Sequence, residues 1–439
     1  MTLPEKFIER MGTQLGGEDL AAFLRAYGEP PKRGLRVNTK RISPEGFKAI
    51  SPWALTPSGI LEEGFVVQGG AQGIGAHPYH AAGLFYMQEP SAMSAVAVAA
   101  KHLESDMRVL DMCAAPGGKS GGIAAHMRGG LLVANEIVPS RAKTLQFTLE
   151  RLGTANAVVT SARPDAIASA LPEYFDMILV DAPCSGEGMF RKDAAAMREW
   201  SPEHVAACAV RQRMILESAY AALAADGILI YSTCTFSIEE NEGAVEAIAA
   251  AHPDMRICSM ERLYPHTSAG EGHFVAALKK SGGMRRDCPD MRLAPCREAA
   301  YGGFIESCVS ALPDGKPYLI ADGRVLLLPQ ALPEPLKSVR MLTAGLYMGD
   351  MQKARFEPSH ALVMAAGAKL ARRVQLYIGD ERLARFLSGE TIAFGIENGW
   401  CEVCVDDHPI GLGKAVGGVI KNHIPKGLRS NGAPANNFE

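Results

Sequence analysis

Residues 108–136 read RVLDMCAAPGGKSGGIAAHMRGGLLVANE, and this stretch decides the fold of the chain. The apolar run at 108–112 predicts a buried strand, and the turn Pro116-Gly117-Gly118-Lys119 leads into a predicted helix over 120–127. A second apolar run at 131–135 predicts the next strand. Strand, turn, helix and strand together form a βαβ unit, from which parallel sheets are built.

The same alternation continues downstream of this unit. Predicted strands cover 157–160, 177–180 and 227–231, and predicted helices cover 89–101, 140–152, 202–224 and 239–251. Strict alternation of short apolar runs with helical segments is typical of a parallel sheet covered on both faces. We therefore expect a Rossmann-like, doubly wound α/β domain over residues 85–280.

The rest of the chain has a different pattern on each side of this domain. A helical start, a strand at 35–39 and a glycine-rich stretch predict an N-terminal α+β module over 1–84. A polar segment containing proline and glycine predicts a linker over 281–297. Beyond it, short strands separated by turns predict an intermediate α+β module over 298–366 and a β-rich module over 367–439.

Composition places the chain among ordinary globular proteins. Of its 439 residues 47% are hydrophobic and 21% are charged, and no apolar stretch is long enough to span a membrane. The N-terminus lacks the pattern of a signal peptide, so we expect a cytoplasmic protein without a membrane partner, and a monomer. The ten scattered cysteines agree with a reducing compartment. Cys401 and Cys404 lie three apart on a predicted strand and face opposite ways, so we expect no metal site.

Basic residues concentrate in three zones although the net charge is −3. Residues 1–50 hold nine Lys/Arg against six Asp/Glu, residues 279–300 hold six against three, and the tail from 409 holds four against one. The excess of basic residues in any one zone, taken alone, is explained by a solvent-exposed surface. Three zones flanking a catalytic core fit an RNA-binding footprint.

The turn after the first core strand indicates the class of cofactor. A P-loop requires glycine six residues before Lys119, where this chain has Cys113, and the dinucleotide pattern G-x-G-x-x-G is absent. S-adenosylmethionine is the third class of cofactor that binds at such a turn, and it remains. Its binding depends less on a backbone geometry directed at phosphate groups. Glu136 follows the next strand, where a carboxylate accepts hydrogen bonds from two ribose hydroxyls.

Two cysteines follow two other predicted strands. Cys184 ends the sequence Asp181-Ala182-Pro183-Cys184, and Cys234 lies within Ser232-Thr233-Cys234-Thr235-Phe236. The carboxyl ends of parallel strands are where catalytic groups gather in such sheets. Two thiols and an aspartate at that edge favour nucleophilic chemistry on an electrophilic carbon.

Taken together, these motifs resemble the Sun/RsmF family of RNA (cytosine-C5) methyltransferases over nearly the whole chain. The matching stretches are residues 111–119, Asn135-Glu136, residues 181–188 with 190–193, and residues 232–236. The tail segments Gly411-Leu412-Gly413-Lys414, 421–423 and 425–429 resemble the PUA-like module of the RsmF branch. The resemblance thus implies that 1–84 and 367–439 bind RNA.

The resemblance also implies a role for each candidate residue. Cys234 is the nucleophile that adds to carbon 6 of cytosine, and Cys184 helps release the adduct. Asp181 bonds the amino/N3 edge of the base, and Lys119 serves the polar network of the site. S-adenosyl-L-methionine contacts Cys113, Ala114, Ala115, Pro116, Gly117, Gly118, Lys119, Glu136 and Asp181. Small-subunit (16S) rRNA or the 30S subunit is the implied substrate, and DNA is not.

Two questions stay open at the level of sequence. A tRNA cytosine methyltransferase shares the same core, and a catalytically silent RNA-binding assembly factor keeps the same fold, although a pure binder needs neither thiol. The family usually has an aspartate after the third core strand that holds the adenine end of the cofactor. Here 161–165 reads Ser-Ala-Arg-Pro-Asp, and spacing favours the position of Arg163 over that of Asp165.

Overall fold

A computed structural model describes residues 3–69 and 73–429 of the chain. Its N-terminal part consists of two helices followed by an antiparallel sheet with the strand order β2-β3-β1-β4. The elements are α1 (Glu5–Leu15), α2 (Gly17–Tyr27), β1 (Arg33–Val37), α3 (Pro44–Ile50), β2 (Leu55–Pro57), β3 (Gly64–Val67), α4 (Pro78–Ala81) and β4 (Phe85–Met87).

The central part is a sheet with helices packed on both faces. Its elements are α5 (Ser94–Ala100), β5 (Arg108–Asp111), α6 (Gly118–His126), β6 (Leu131–Asn135), α7 (Pro139–Arg151), β7 (Ala157–Thr160), α8 (Pro164–Ala170), β8 (Phe175–Asp181), α9 (Ala194–Glu199), α10 (Pro202–Ala222), β9 (Leu223–Thr233), α11 (Glu242–Ala251), β10 (Met255–Leu263) and β11 (His273–Lys280). Strands β9-β8-β5-β6-β7 are parallel, and β11 and β10 follow β9 in antiparallel pairing. The predicted doubly wound sheet is confirmed.

The apolar runs of the sequence explain why this sheet forms at the centre. Strands β5, β6 and β7 are buried along their whole length, as expected for strands covered on both faces. One apolar cluster joins the sheet to α8, α10 and α11, and another joins it to α5, α6 and α7. Alternate residues of one strand, such as Val109 and Leu110, point into different clusters.

Several element boundaries differ from the sequence prediction; α5, for example, begins at Ser94 instead of 89, after a 3-10 turn at Ser91–Met93. Helix α10 ends at Ala222 and β9 begins at Leu223, because Leu223 already pairs with Phe175 of β8. Helix α11 begins at Glu242 instead of 239, because the residue before it, Asn241, has φ −102° and ψ −97°, outside the helical region. These boundaries depend on tertiary pairing and loop conformation, which hydrophobic periodicity does not report.

The segment 281–297 lies against the central sheet domain. The backbone N–H of Met291 donates to Leu332 O at 2.7 Å, and Met291 belongs to the same apolar cluster as α8 and α10. Arg285 pairs with Asp176 at 2.7 Å and Arg286 pairs with Glu173 at 2.9 Å. Each of these two arginines is therefore held in an ion pair with an acidic residue of the same chain. These pairs account for part of the positive charge of the 279–300 zone.

A second antiparallel sheet follows, with the strand order β12-β14-β15-β17-β18. The elements are β12 (Ala294–Pro295), α12 (Ala299–Cys308), β13 (Val309–Ala311), β14 (Lys316–Leu319), β15 (Arg324–Leu328), β16 (Met341–Ala344), β17 (Leu346–Gln352), β18 (Arg355–Pro358), α13 (His360–Met364) and β19 (Lys369–Leu370). Strand β16 instead joins the central sheet, where Met341 lies opposite Thr160 of β7. This part of the chain is thereby fastened to the central sheet by backbone hydrogen bonds.

The last sheet has the strand order β20-β22-β23-β24-β21. Its elements are β20 (Arg373–Leu376), α14 (Glu381–Leu387), β21 (Ile392–Ala393), β22 (Gly399–Val405), β23 (His408–Val416) and β24 (Val419–Asn422). It shares one apolar cluster with the N-terminal sheet, and Tyr79 Oη donates to Asp406 at 2.8 Å between them. Residues 430–439 of the predicted PUA-like module lie outside the described residues. Within residues 3–69 and 73–429, no helix has the length and apolar character needed to cross a bilayer.

Candidate active site

The carboxyl ends of β5, β8 and β9 meet at one edge of the central sheet. In these parallel pairs Asp111 lies beside Leu179, and Asp181 lies beside Ser232. The two cysteine loops leave β8 and β9 from adjacent positions, and the Sγ atoms of Cys184 and Cys234 are 3.3 Å apart. Two residues separated by fifty positions in sequence thus form one thiol pair, as their strand-end positions predicted.

Two buried glutamates hold the cysteine loops in place. Glu240 Oε2 accepts hydrogen bonds from the N–H of Ser185 at 2.9 Å and from Gln212 Nε2 at 2.8 Å. Glu187 Oε2 accepts from Thr235 Oγ1 at 2.9 Å, and thereby joins the loop after Cys184 to the loop after Cys234. Burial raises the pKa of both carboxyl groups. Sequence reasoning assigned no role to either glutamate.

A second polar group lies beside the thiols. Lys119 Nζ donates to Asp181 Oδ2 at 2.8 Å, and Ser232 Oγ donates to Asp181 Oδ1 at 2.9 Å. Burial acts to raise the pKa of Asp181, but the Lys119 ammonium and these hydrogen bonds hold it below its ordinary value. The side chain of Asp181 is 31% exposed against 12% for Lys119, so the carboxylate faces outward and the lysine lies behind it.

The thiol pair is asymmetric. The pKa of Cys184 is raised well above its ordinary value, first by the hydrogen bond it shares with Cys234 and then by burial. Cys184 therefore stays a thiol at neutral pH and is a hydrogen-bond donor. Lys119, which sits near Cys234, keeps its charge, because the Asp181 carboxylate more than offsets the cost of burial and raises its pKa.

A cleft of about 900 Å³ runs from the end of β6 to the thiols. Of the residues predicted to contact the cofactor, Cys113, Ala115, Glu136 and Asp181 line this cleft, and Cys184 and Cys234 line its other end. The remaining five predicted contacts do not line it: Ala114, Pro116, Gly117, Gly118 and Lys119. A cleft of this size holds a cofactor and a nucleobase side by side.

The residues at the β6 end of the cleft fit S-adenosylmethionine. The Glu136 carboxylate is buried at the end of β6, where one oxygen accepts the Val138 N–H at 2.9 Å and the other lies 3.2 Å from Arg141. Its remaining lone pairs suit a ribose diol. The next residue, Ile137, is apolar and 54% exposed, and it lines this end of the cleft, where its side chain would pack against the adenine ring of the cofactor. Sequence reasoning did not single out Ile137.

Arg163 and Asp165 both lie at this end of the cleft. They form a bidentate ion pair, with Arg163 Nε and Nη2 at 3.0 and 3.1 Å from the two carboxylate oxygens. The pair occupies the turn after β7, where the resemblance called for an aspartate. The structure therefore brings both candidates to the cleft.

The glycines of the cofactor turn have a packing role. Gly117 has φ +108°, which side-chain-bearing residues rarely adopt, and it immediately precedes α6. A Cβ at Gly118 would lie 2.6 Å from the ring of Tyr86, so a larger residue is excluded there. Sequence reasoning attributed these glycines to close approach of a ligand. The contacts add a packing reason for glycine at both positions, because a Cβ at Gly117 would also lie 3.0 Å from Thr148.

Asp111 gives a testable dependence of stability on pH. It is fully buried, and Ser120 Oγ donates to its Oδ2 at 2.6 Å. Burial raises its pKa to about 7, against about 3.9 in an unfolded chain. Folding therefore takes up a proton between about pH 4 and pH 7, and the wild type loses roughly 4 kcal/mol of stability as the pH rises through this window.

We expect Asp111→Asn to remove this dependence. Urea unfolding at a series of pH values from 5 to 8 measures it: the free energy of unfolding of the variant should rise relative to that of the wild type as the pH increases. Asp322→Asn, at an exposed turn, is the control and should follow the wild-type curve. Parallel curves for Asp111→Asn and the wild type would contradict a buried, proton-binding Asp111.

Comparison with protein families accounts for most of the chain in four segments. A family described as 16S rRNA methyltransferase RsmB/F matches residues 98–279, and the N-terminal domain of 16S rRNA methyltransferase RsmF matches residues 3–90. The RsmF rRNA methyltransferase first C-terminal domain matches residues 303–365, and the methyltransferase RsmF PUA domain matches residues 373–430.

Individual proteins agree with these matches. Ribosomal RNA small subunit methyltransferase F of Vibrio cholerae is 34% identical, with 98% of each chain covered, and that of Erwinia tasmaniensis is 33% identical, with 98% of this chain and 97% of that protein covered. A crystal structure of a methyltransferase homologue from Pyrococcus horikoshii matches with a TM-score of 0.56 and 27% identity, over 63% of this chain and 95% of that one. The chain therefore belongs to the RsmF family of S-adenosylmethionine-dependent 16S rRNA methyltransferases.

Proposed function

We propose that the chain transfers a methyl group from S-adenosylmethionine to carbon 5 of a cytosine in small-subunit rRNA, through a covalent bond between Cys234 and carbon 6. The observation that carries this proposal is the thiol pair, with its Sγ atoms 3.3 Å apart in the cleft that Glu136 and Asp181 also line. Methylation of an exocyclic amine or a ribose hydroxyl has no use for two thiols. Methylation of a pyrimidine carbon requires at least one.

The first step is addition of Cys234 to the base. Carbon 5 of cytosine is too electron-poor to attack a sulfonium methyl group unaided. When the Cys234 thiolate bonds to carbon 6, the electron pair of the C5–C6 double bond moves toward carbon 5. The proton of the Cys234 thiol leaves to solvent as the thiolate forms, and N3 of the base takes a proton from solvent as negative charge develops on the ring. Asp181, ionised because Lys119 lowers its pKa, accepts hydrogen bonds from the amino group and from this N3–H and favours the addition.

The later steps restore the aromatic base. When bound, S-adenosylmethionine would supply carbon 5 with the methyl group of its sulfonium, and the cofactor's sulfur would keep the electron pair of the broken S–CH3 bond. The C5 proton then leaves to solvent in the cleft, the electron pair of the C5–H bond re-forms the C5–C6 double bond, and the C6–S bond breaks with its electrons returning to Cys234. N3 returns its proton to solvent, which leaves the neutral methylated base. Cys184, which stays protonated, donates its S–H to the departing thiolate across the 3.3 Å separation.

The RNA must present the cytosine outside its stack to reach this cleft. Unstacking costs a few kcal/mol, least in loops and junctions, and contacts from the flanking RsmF modules to phosphates offset that cost. The names of the matched relatives favour small-subunit rRNA over tRNA. A substrate of this kind also implies a cytoplasmic enzyme.

The proposal is tested by following the methyl group. The protein is incubated with S-adenosylmethionine carrying a labelled methyl group and with free small-subunit rRNA, assembled small subunits or tRNA, and the RNA is digested to nucleosides. We expect 5-methylcytidine as the labelled product from one of the two rRNA substrates. Label in another nucleoside would contradict the carbon-5 chemistry, label in tRNA alone would reassign the substrate, and no label would leave a silent RNA binder.

A further inference from the structure

One buried histidine beside the site takes no part in the mechanism above. His273 begins β11, next to Phe274, which pairs with Thr233 at the end of β9. Its side chain is 2% exposed, and neither ring nitrogen has a hydrogen-bond partner among the described residues. Burying both polar atoms of an imidazole without partners is costly, so a position that keeps a histidine there calls for an explanation.

The position of the ring relative to Asp181 supplies that explanation. His273 Nε2 lies 4.0 Å from Asp181 Oδ1, about 1 Å beyond hydrogen-bond distance. The two donors that already reach Asp181, Lys119 and Ser232, come from α6 and β9, and His273 comes from β11. Hydrogen bonds of catalytic groups are often long in the free protein and shorten when substrate binds.

The protonation state suits a donor. Burial, reinforced by the nearby Lys119 ammonium, lowers the pKa of His273 to about 4, so the ring is neutral at pH 7. A neutral imidazole carries one N–H and donates one hydrogen bond without adding a charge beside Lys119. The backbone before the ring is anchored, because the preceding residue, Gly272, donates its N–H to Ser91 Oγ at 3.1 Å.

We propose that His273 is a positioning residue that donates Nε2–H to Asp181 Oδ1 when a cytosine occupies the cleft, and so completes the set of donors that aims this carboxylate at the base. His273 does not line the cleft in which substrate and cofactor would bind. It acts through Asp181. The inference rests on the proposed function of Asp181 and deepens it.

The test compares His273→Phe with His273→Gln. Phenylalanine fills the same space without a donor, and glutamine restores an N–H. We expect His273→Phe to lower kcat about 10- to 100-fold with the KM for RNA and cofactor nearly unchanged, because a carboxylate misplaced by about 1 Å loses that much rate. His273→Gln should recover most of it. Phe and Gln at His360, a buried histidine of α13 whose Nδ1 has no hydrogen-bond partner among the described residues, are the matched controls.

Each outcome separates the inference from the proposed function. A His273→Phe variant with wild-type kcat, or one that loses kcat without recovery by glutamine while its melting temperature falls as at His360, would overturn the positioning role. Wild-type protein that labels no 5-methylcytidine would overturn the proposed function first. If the wild type is active and His273→Phe has the same kcat, the proposed function stands and only the positioning role of His273 is rejected.

Discussion

Replacing Cys234 with alanine is expected to lower methyl transfer by at least about 1,000-fold, to the background of the assay. The methyl acceptor is carbon 5, and without a thiolate bonded to carbon 6 that carbon is not a nucleophile. Cys184 does not substitute, because its raised pKa keeps it protonated. The measurement is labelled methyl transfer to small-subunit rRNA under single-turnover conditions, where product release does not mask the chemical step.

Three controls show that the loss belongs to the Cys234 thiol. Cofactor affinity of Cys234→Ala, measured by calorimetry, should equal that of the wild type, because Glu136 and Ile137 lie at the other end of the cleft. Cys234→Ser keeps the size of the side chain but is a far weaker nucleophile, so it should also be inactive. Cys258→Ala, an exposed cysteine on β10, should retain full activity. Substantial activity in Cys234→Ala would contradict its role as nucleophile.

Replacing Cys184 with alanine is expected to give the opposite signature, a covalent protein–RNA complex that accumulates. Cys234 still adds to the base and the methyl group is still transferred. Release slows because the thiolate that departs from carbon 6 has lost the S–H donor 3.3 Å away. A denaturing gel of the reaction with labelled rRNA should show a shifted band that survives heating in detergent, and turnover beyond the first cycle should be lost.

The double variant tests the order of these events. Cys184→Ala combined with Cys234→Ala should show no shifted band, because the adduct requires Cys234. A shifted band that persists in the double variant would assign the bond to another residue. A Cys184→Ala variant that turns over normally would show that release needs no donor from Cys184.

The central domain was predictable from sequence because its signals are local. Strands such as β5 and β6 are short apolar runs, and the segments between them contain the turn residues at which the intervening helices begin. The meeting of Cys184 and Cys234 follows from the same reasoning, because each ends a parallel strand and these ends lie at one edge.

Other features depend on contacts that the sequence does not encode locally. Strand β16 lies almost two hundred positions after β7, and nothing in its own sequence indicates that it pairs there. Glu187 and Glu240 read as ordinary charged residues, yet both are buried and brace the cysteine loops. His273 stands in an apolar strand and acquires a role only because β11 lies beside β9.

The most direct measurement identifies the amino acid bonded to the base. The complex that forms with Cys184→Ala is isolated, digested with protease and nuclease, and its nucleotide-bearing peptide is sequenced by mass spectrometry. The mechanism predicts a methylated cytidine nucleotide on the peptide that contains Cys234. A nucleotide on any other peptide, such as the one that contains Cys113, would contradict Cys234 as the nucleophile.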